Sequence, residues 1–174
     1  MEKFLIRRAT IQDVEQICRI MQETEEALED KSLFVCDAPE YVKEHVEDNG
    51  FIVIACMEDG DAAGSFLVRF PKEEEDNLGR DIGLSHEEQM KVAHMESAVV
   101  LPKYRGHHLQ GRMLEFAENC LDKESYHYLM ATVSPQNPAS KNTLLKAGYQ
   151  EILTKEKSGG LVRNILLKEI DTGN

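Results

Sequence analysis

The sequence predicts an α/β fold built on a mixed sheet. Apolar, β-branched runs alternate with segments of helical periodicity through the middle of the 174-residue chain, a pattern typical of a sheet flanked by helices. On both sides of this middle part, pairs of apolar runs joined by short Gly-containing turns predict antiparallel hairpins. Together these features favour a mixed sheet over a purely parallel one. The length predicts a single domain, residues 1–174, large enough to bury a core.

The chain is predicted to begin with a short strand and two helices. Phe4–Arg8 is the predicted strand, and Thr10 with Asp13 three residues later resembles a capping box that starts a helix. A second helix is predicted at residues 39–48, opening with a proline and ending at Asn49-Gly50. The buried face of the first helix is predicted from apolar residues at helical spacing, namely Ile11, Val14, Ile17, Cys18 and Met21.

A hairpin and a long insertion follow. Residues 51–56 and 62–70 are predicted to be paired strands joined by a turn. Residues 71–90 then form an insertion before the next strand, with a short helix capped by Ser85. Its length is typical of a mobile loop or of part of a substrate-binding wall. We interpret its acidic run at residues 73–76 as solvated surface.

The remaining elements centre on one strand, turn and helix. Residues 92–101 are predicted as a strand stopped by Pro102, and residues 107–122 as the helix after it. The further predicted elements are a strand at 126–133, a helix that opens at 137 and ends at 148, and strands at 149–154 and 161–170 joined by a turn at 157–160.

The turn between that central strand and its helix has the composition of an anion-binding site. The chain carries 20 basic and 32 acidic residues, a net charge of −12, yet no acid lies between Glu96 and Glu115, where Lys103, Arg105 and Arg112 are found. The first turn of a helix directs backbone N–H groups and the positive end of the helix dipole towards one point. A phosphate or pyrophosphate fits that point. An ordinary strand–turn–helix with a basic surface is the alternative.

Composition argues against several other classes of function. The net negative charge argues against nucleic acid as a partner, and no apolar run approaches the roughly 20 residues of a membrane span or the core of a secretory signal. The four cysteines are scattered without a Cys-x-x-Cys pair, which predicts reduced thiols in a cytoplasmic protein. No metal is expected, because the adjacent side chains of His107 and His108 diverge and no carboxylate or cysteine lies at ligand spacing.

Two motifs resemble the GNAT superfamily of acyl-CoA-dependent N-acetyltransferases. Residues 100–106, Val-Leu-Pro-Lys-Tyr-Arg-Gly, are similar to the exit of the family's fourth strand and its pyrophosphate loop. Residues 137–140, Asn-Pro-Ala-Ser, with 147–149, Ala-Gly-Tyr, are similar to a later family helix. The order of elements from residue 3 to about 170 also fits. The resemblance implies a mostly antiparallel sheet that splays after the fourth strand and is flanked by about four helices, with acetyl-CoA as the cosubstrate.

The resemblance also implies which residues bind the cosubstrate. Backbone groups at the end of the fourth strand would pair with the pantetheine arm, and N–H groups of the following loop and helix would hold the pyrophosphate. Two asparagines later in the chain would reach the pantetheine or phosphate region. The implied residues are Val99, Val100 and Leu101 in the strand, Arg105, Gly106, His107, His108, Leu109, Gln110, Gly111 and Arg112 in the loop and helix, and Asn137 and Asn142.

The sequence departs from the family pattern at two places. His108 and Gln110 stand where the family's loop carries small residues, which let the backbone approach phosphates. If His108 adopts the required turn, its N–H group still serves. Leu144 stands where many members carry a Tyr that protonates the leaving thiolate. Since an ordinary thiol has a pKa of about 8.5, its thiolate leaves without such help, and we expect slower catalysis rather than none.

Glu96 is the candidate general base. The implied reaction needs an unprotonated amine, and an alkylamine is almost fully protonated at neutral pH. Glu96 lies six residues before Pro102 in an apolar context, where many relatives place a carboxylate, and partial burial would make it a stronger base. A Glu on a solvated strand face is the alternative. The alternatives for His94, Tyr128 and Arg163 are to line the acceptor side or to be structural or surface residues.

The sequence therefore predicts a cytoplasmic, acetyl-CoA-dependent N-acetyltransferase. Its acceptor would be a primary amine on a small molecule or a peptide, attacking the thioester directly, with no metal. A homodimer is an open possibility, since many members of the family dimerise. The alternative is a GNAT-fold protein that binds acyl-CoA without turnover, as a sensor or interaction domain, which the substitutions at His108, Gln110 and Leu144 favour.

Overall fold

The computed structural model describes residues 3–30, 36–156 and 160–170. Five α-helices and seven strands lie in these ranges, with short 3₁₀ turns between them. In chain order they are β1 (Phe4–Arg8), α1 (Val14–Ala27), α2 (Pro39–Glu47), β2 (Gly50–Met57), β3 (Ala62–Arg69), α3 (His86–Gln89), β4 (Val92–Val100), α4 (Leu109–Cys120), β5 (Tyr128–Val133), α5 (Pro138–Lys146), β6 (Gln150–Glu156) and β7 (Val162–Glu169).

The strands form one seven-stranded sheet in the order β1-β2-β3-β4-β5-β7-β6. β1 and β2 are antiparallel, as are β5 with β7 and β6 with β7. β4 and β5 are parallel, and their register covers only Val92–His94 against Tyr128–Met130, so the nine-residue β4 leaves β5 after three pairs. This mostly antiparallel sheet with a splayed parallel pair confirms the predicted fold class.

The chain divides into two compact units, of which the first comprises Met1–Val68 and Ser97–Asn119. Its core joins buried side chains of α1 and α2 to those of β2 and β3, led by Ile17, Ile20, Met21, Val42, Ile52 and Ile54. The predicted buried face of α1 is confirmed at Ile17 and Met21. It is wrong at Ile11, which is exposed and lies in a 3₁₀ turn before the helix, and Ile20 belongs to the core instead.

The entry into α1 depends on Asp13. The predicted capping box is confirmed: the Thr10 side chain accepts the N–H of Gln12, and the Thr10 N–H donates to the Asp13 carboxylate at 2.7 Å. Arg7 of β1 donates to both carboxylate oxygens, at 2.8 and 2.9 Å. These hydrogen bonds from Arg7 lower the pKa of Asp13, and burial opposes them. The carboxylate therefore ties the first strand to the first helix.

Asp13→Asn is expected to weaken the fold at pH 7 and to flatten its acid sensitivity. Because the folded-state pKa of Asp13 lies below its unfolded value, the stabilisation is present at neutral pH and is lost as the pH falls below about 4. We expect a loss of about 1–2 kcal/mol at pH 7 and a shallower fall of stability between about pH 5 and pH 2. Urea unfolding across this range measures both. Glu15→Gln, an exposed carboxylate in the same turn, is the control and should match the wild type.

The second unit comprises Arg69–Glu96 and Cys120–Asn174. Its apolar cluster is formed by Leu78, Val92, Met130 and Ile165, and the partly buried Ile82 and Leu84 pack against it. Three of these residues belong to the predicted insertion at 71–90, which therefore contributes to a core. The predicted Ser85 cap of α3 is confirmed, with a full capping box to Glu88.

Some boundaries and interpretations differ from the sequence predictions. The helix predicted from residue 107 begins at Leu109, because His108 has a left-handed backbone that a helix cannot contain.

The acidic run at 73–76 is not simply solvated, since two of its carboxylates pair with Arg69. Of the turn predicted at 157–160, residues 157–159 lie outside the described ranges. No helix in the described part of the chain has the length and apolar composition needed to cross a membrane.

Candidate functional site

Val100, the last residue of β4, directs its backbone N–H and C=O groups away from the neighbouring strand β3. The N–H of Leu101 donates to the carbonyl of Ala63 at 2.9 Å, and the carbonyl of Leu101 accepts the N–H of Tyr104 at 2.9 Å. Both backbone groups of Leu101 are therefore engaged within the first unit. Since successive residues of a strand direct their N–H and C=O groups to opposite edges, those of Val100 point away from β3. Of the three strand residues named from the sequence, Val100 is best placed to pair with an extended ligand.

The loop after β4 turns through two residues with left-handed backbones. Residues 102–104 form a 3₁₀ turn, after which Gly106 has φ +91° and His108 has φ +58°. Glycine adopts such angles without cost, whereas a histidine is strained there by about 1 kcal/mol. His108 therefore adopts the turn that the family pattern assigns to a small residue.

Replacing His108 by glycine is expected to stabilise the protein slightly. His108→Gly should raise the free energy of unfolding by about 0.5 kcal/mol, since the relief of strain outweighs the added freedom of the unfolded chain. Because the loop keeps its shape, the affinity for acetyl-CoA, the cosubstrate that the sequence resemblance implies, should not fall. His107→Gly is the matched control, since His107 has no positive φ and its ring packs on Phe4, so it should destabilise. Thermal unfolding and calorimetric titration measure both effects, and a less stable His108→Gly protein would contradict the strain argument.

One aromatic side chain from β1 supports this loop. The ring of Phe4 lies 5.7 Å from that of Tyr104 in an edge-on arrangement and 5.1 Å from that of His107. The Arg112 guanidinium lies over the same ring at 6.0 Å. These aromatic and cation–π contacts fix the side chains on both sides of the turn. With the His107 ring held on Phe4, the groups left to meet an anion are backbone N–H groups and exposed cations.

The start of α4 fits an anion such as a pyrophosphate. The N–H of Arg112 donates to the carbonyl of His108 at 3.0 Å, so the N–H groups of the first helical turn, including Leu109 and Gly111, point out of the helix's N-terminal end. The exposed cations Lys103, Arg105 and Arg112 flank this end, and the helix dipole adds to their field. The strain at His108 is consistent with a turn that is shaped for binding.

The two asparagines named from the sequence have different surroundings. Asn137 is the N-cap of α5, and its Oδ1 accepts the N–H of Ser140 at 3.2 Å. Its amide nitrogen is the part of the side chain able to reach a ligand. Asn142 lies on the exposed surface of the same helix. Leu144, at the position where the sequence resemblance implies a Tyr, is only 5% exposed and is a core residue, as predicted.

Glu96 lies in a compact cluster of charged groups in the second unit. Its side chain is 25% exposed, and its Oε2 accepts the Nε–H of Arg69 at 2.6 Å. Arg69 is only 7% exposed and also donates from Nη1 to Glu74 at 2.8 Å and from Nη2 to Asp76 at 2.7 Å. Three carboxylates thus surround one guanidinium. Glu96 is partly buried, as the sequence predicted for a base, and it is held in place by an ion pair.

Both ring nitrogens of the buried His94 face this cluster or the insertion. The backbone N–H of Leu78 donates to Nε2 at 3.0 Å. Nδ1 lies 3.0 Å from Arg69 Nη2 and 3.6 Å from Glu96 Oε2. His94 is therefore part of the support of Glu96.

The other two residues considered for the acceptor side make local contacts. The Tyr128 hydroxyl donates to Glu88 at 2.9 Å, and burial together with this carboxylate raises the pKa of Tyr128. A hydroxyl held in this way is a poor proton donor. Arg163 donates to the backbone carbonyl of Val162 at 3.1 Å.

Sequence reasoning missed Arg69, the residue that organises the cluster. The available signal was a charged residue near the end of the largely apolar run at 62–70, followed five and seven residues later by Glu74 and Asp76. An arginine that is buried on a strand requires carboxylate partners. The acidic run after it therefore had an explanation other than solvation.

Comparisons with known proteins agree with this description. The family model "Acetyltransferase (GNAT) family" matches residues 14–149. An acetyltransferase of the GNAT family from Streptococcus pneumoniae superposes with a TM-score of 0.73 at 16% identity, covering 97% of this chain and 100% of that one. The structure of yncA from Salmonella typhimurium with its cofactor acetyl-CoA gives 0.72 at 15% identity, covering 99% and 96%. A ribosomal-protein-alanine N-acetyltransferase from Brucella melitensis gives 0.72 at 18% identity, covering 95% and 99%. No curated protein sequence matches the chain significantly.

Proposed function

The chain belongs to the GNAT acetyltransferase family, and on this premise we propose that it transfers the acetyl group of acetyl-CoA to the nitrogen of a primary amine. The observation that carries the proposal is strand β4. It holds the partly buried carboxylate of Glu96 and, four residues later, the outward-facing backbone of Val100, and it runs directly into the basic loop. The acceptor would be a small molecule or a peptide. The scattered cysteines, without a Cys-x-x-Cys pair, support a location in the cytoplasm.

The cosubstrate would be held by β4, the loop and α4. Acetyl-CoA supplies an activated thioester. The backbone of Val100 would pair with the pantetheine arm and donate its N–H to the acetyl oxygen, where negative charge develops. The N–H groups of residues 105–111 would hold the pyrophosphate, with Arg105 and Arg112 adding charge. Asn137 would contribute its amide nitrogen.

Glu96 would prepare the amine for attack. An alkylammonium ion must lose a proton before its nitrogen is nucleophilic. The Arg69 guanidinium keeps Glu96 charged and oriented, so its carboxylate can take that proton directly or through one water. Because Leu144 is apolar and buried, the thiolate would leave without an acid on that residue, which its moderate basicity allows.

A second candidate function is acyl-CoA binding without turnover. The observation that favours it is Leu144, since the position of the family's acid holds a core residue. Such a protein would keep the anion site at α4 and need no base. Glu96 would then be a structural partner of Arg69.

Calorimetric titration with acetyl-CoA, followed by a thiol-release assay against a panel of amines and peptides, tests the proposal. Micromolar binding with amine-dependent release is the expected result. Binding without release from any acceptor would favour the sensor. Absence of binding would mean that the loop with His108 and Gln110 does not accept the cosubstrate, and the proposed function would be withdrawn.

A further inference from the structure

Arg69 is the most fully engaged charged residue in the second unit's cluster. It is nearly buried, and every nitrogen of its guanidinium faces a partner: Nε faces Glu96, Nη1 faces Glu74, and Nη2 faces both Asp76 and the ring of His94. An arginine is permanently charged and its planar fork fixes the direction of each donor. The position of the Glu96 carboxylate is therefore set by Arg69 and not by strand β4 alone.

We propose that Arg69 is a positioning residue that keeps Glu96 unprotonated and oriented as the base, and that Glu74 and Asp76 of the insertion weaken this effect to leave Glu96 basic enough to act. The inference rests on the proposed function, in which Glu96 takes the proton of the amine. It assigns to the acidic insertion a part in setting the working pH of the site.

The charges around Glu96 act in two opposite directions. The Arg69 guanidinium touches Glu96 at 2.6 Å and favours its charged form. Glu74 and Asp76 neutralise the same guanidinium from its other side, at 2.8 and 2.7 Å, and their negative charge disfavours a further carboxylate nearby. Without them, one full positive charge would act on Glu96 alone and would make it a weaker base. A general base is most effective when its pKa lies near the working pH, which requires that the attraction of Arg69 and the repulsion by Glu74 and Asp76 balance.

His94 also faces Glu96, with its Nδ1 3.6 Å from Glu96 Oε2. Its Nε2 accepts the Leu78 N–H at 3.0 Å, which ties the ring to the insertion. Burial strengthens the Arg69–Glu96 pair, since the exposed fractions are 7% and 25%, while Glu74 and Asp76, at 59% and 64%, act from the solvent side.

The pH dependence of kcat/KM in two sets of variants tests the inference. Arg69→Gln should move the acidic limb of the profile up by about one pH unit or more. The double variant Glu74→Gln/Asp76→Asn should move it in the opposite direction. The titration of the acceptor is common to all variants and cancels in the comparison. Arg80→Gln is the control, since exposed Arg80 donates to the Glu73 carbonyl in the same insertion and should leave the limb in place.

A purely structural role for Arg69 would lower kcat without moving the limb, and shifts in the same direction for both sets would also overturn the inference. Arg69→Gln leaves three carboxylates without their cation and can fail to fold. If Arg69→Gln does not fold, the double variant, which changes only exposed side chains, tests by itself whether the acidic limb of the profile moves down.

A second measurement separates this inference from the proposed function. The carboxyl carbon of Glu96, identified by the signal lost in Glu96→Gln, can be titrated by ¹³C NMR in the wild type and the double variant. We expect a lower midpoint in the double variant. If no amine is acetylated, the proposed function fails while this titration still supports or overturns the part assigned to Arg69. An unchanged midpoint in an active enzyme would overturn the inference alone.

Discussion

Glu96→Gln is expected to lower kcat for amine acetylation by about 10²- to 10³-fold, the range typical of losing a general base. Glutamine has the shape of glutamate, and its amide oxygen can still accept the Nε–H of Arg69, which lies 2.6 Å from the native oxygen. The cluster therefore keeps its geometry, while the group that takes the proton is lost. Steady-state kinetics with one amine acceptor between pH 6 and pH 9 measures the effect.

Two controls decide what a slower Glu96→Gln protein means. Acetyl-CoA affinity should be unchanged within about twofold, because the residues proposed to hold the cosubstrate lie further along β4 and in the loop. Glu75→Gln removes an exposed carboxylate of the acidic run and should keep wild-type activity. An unchanged kcat in Glu96→Gln would show that Glu96 has only a structural role, and another residue would have to be the base.

The local signals in this sequence were enough to predict the order of elements. The Thr10–Asp13 and Ser85 capping boxes mark helix starts by side-chain hydrogen bonds that depend only on neighbouring residues. Apolar, β-branched runs then placed the strands, because central strands such as β2 and β3 are buried on both faces. The helical spacing gave a wrong prediction for Ile11, which lies in the 3₁₀ turn before α1. The spacing of apolar residues does not distinguish a 3₁₀ turn from the first turn of an α-helix.

The charged cluster could be predicted only in part. Glu96 was identified from its place on an apolar strand and from the family resemblance, which implies a carboxylate six residues before Pro102. Its partner Arg69 lies 27 residues earlier and contacts it because their strands are neighbours in the sheet. The register between two strands cannot be predicted from the sequence of either strand alone. The same holds for the Leu78 N–H that meets His94. Ion pairs between distant segments follow from the fold and become visible only with it.

The backbone contact of β3 with β4 gives the largest expected effect on stability. Gly64 lies on β3, and a Cβ added there would lie 2.6 Å from the Val99 carbonyl oxygen and 3.1 Å from the terminal methyl of Met113. A methionine end can move, whereas the Val99 carbonyl belongs to the strand that Leu101 anchors to Ala63. An alanine at 64 would therefore force the two strands apart.

Gly64→Ala is accordingly expected to cost about 2–3 kcal/mol of unfolding free energy, which corresponds to a fall in Tm of about 5–10 °C for a chain of this size. Because the strain falls on Val99 and its neighbour Val100, acetyl-CoA should also bind more weakly. Gly60→Ala is the matched control: Gly60 has φ +95° with no atom within 4 Å of the added Cβ, so backbone strain of about 1 kcal/mol is its whole cost. Equal losses in the two variants would show that β3 and β4 tolerate a side chain at 64. The close approach that fixes the Val99–Leu101 backbone would then not exist.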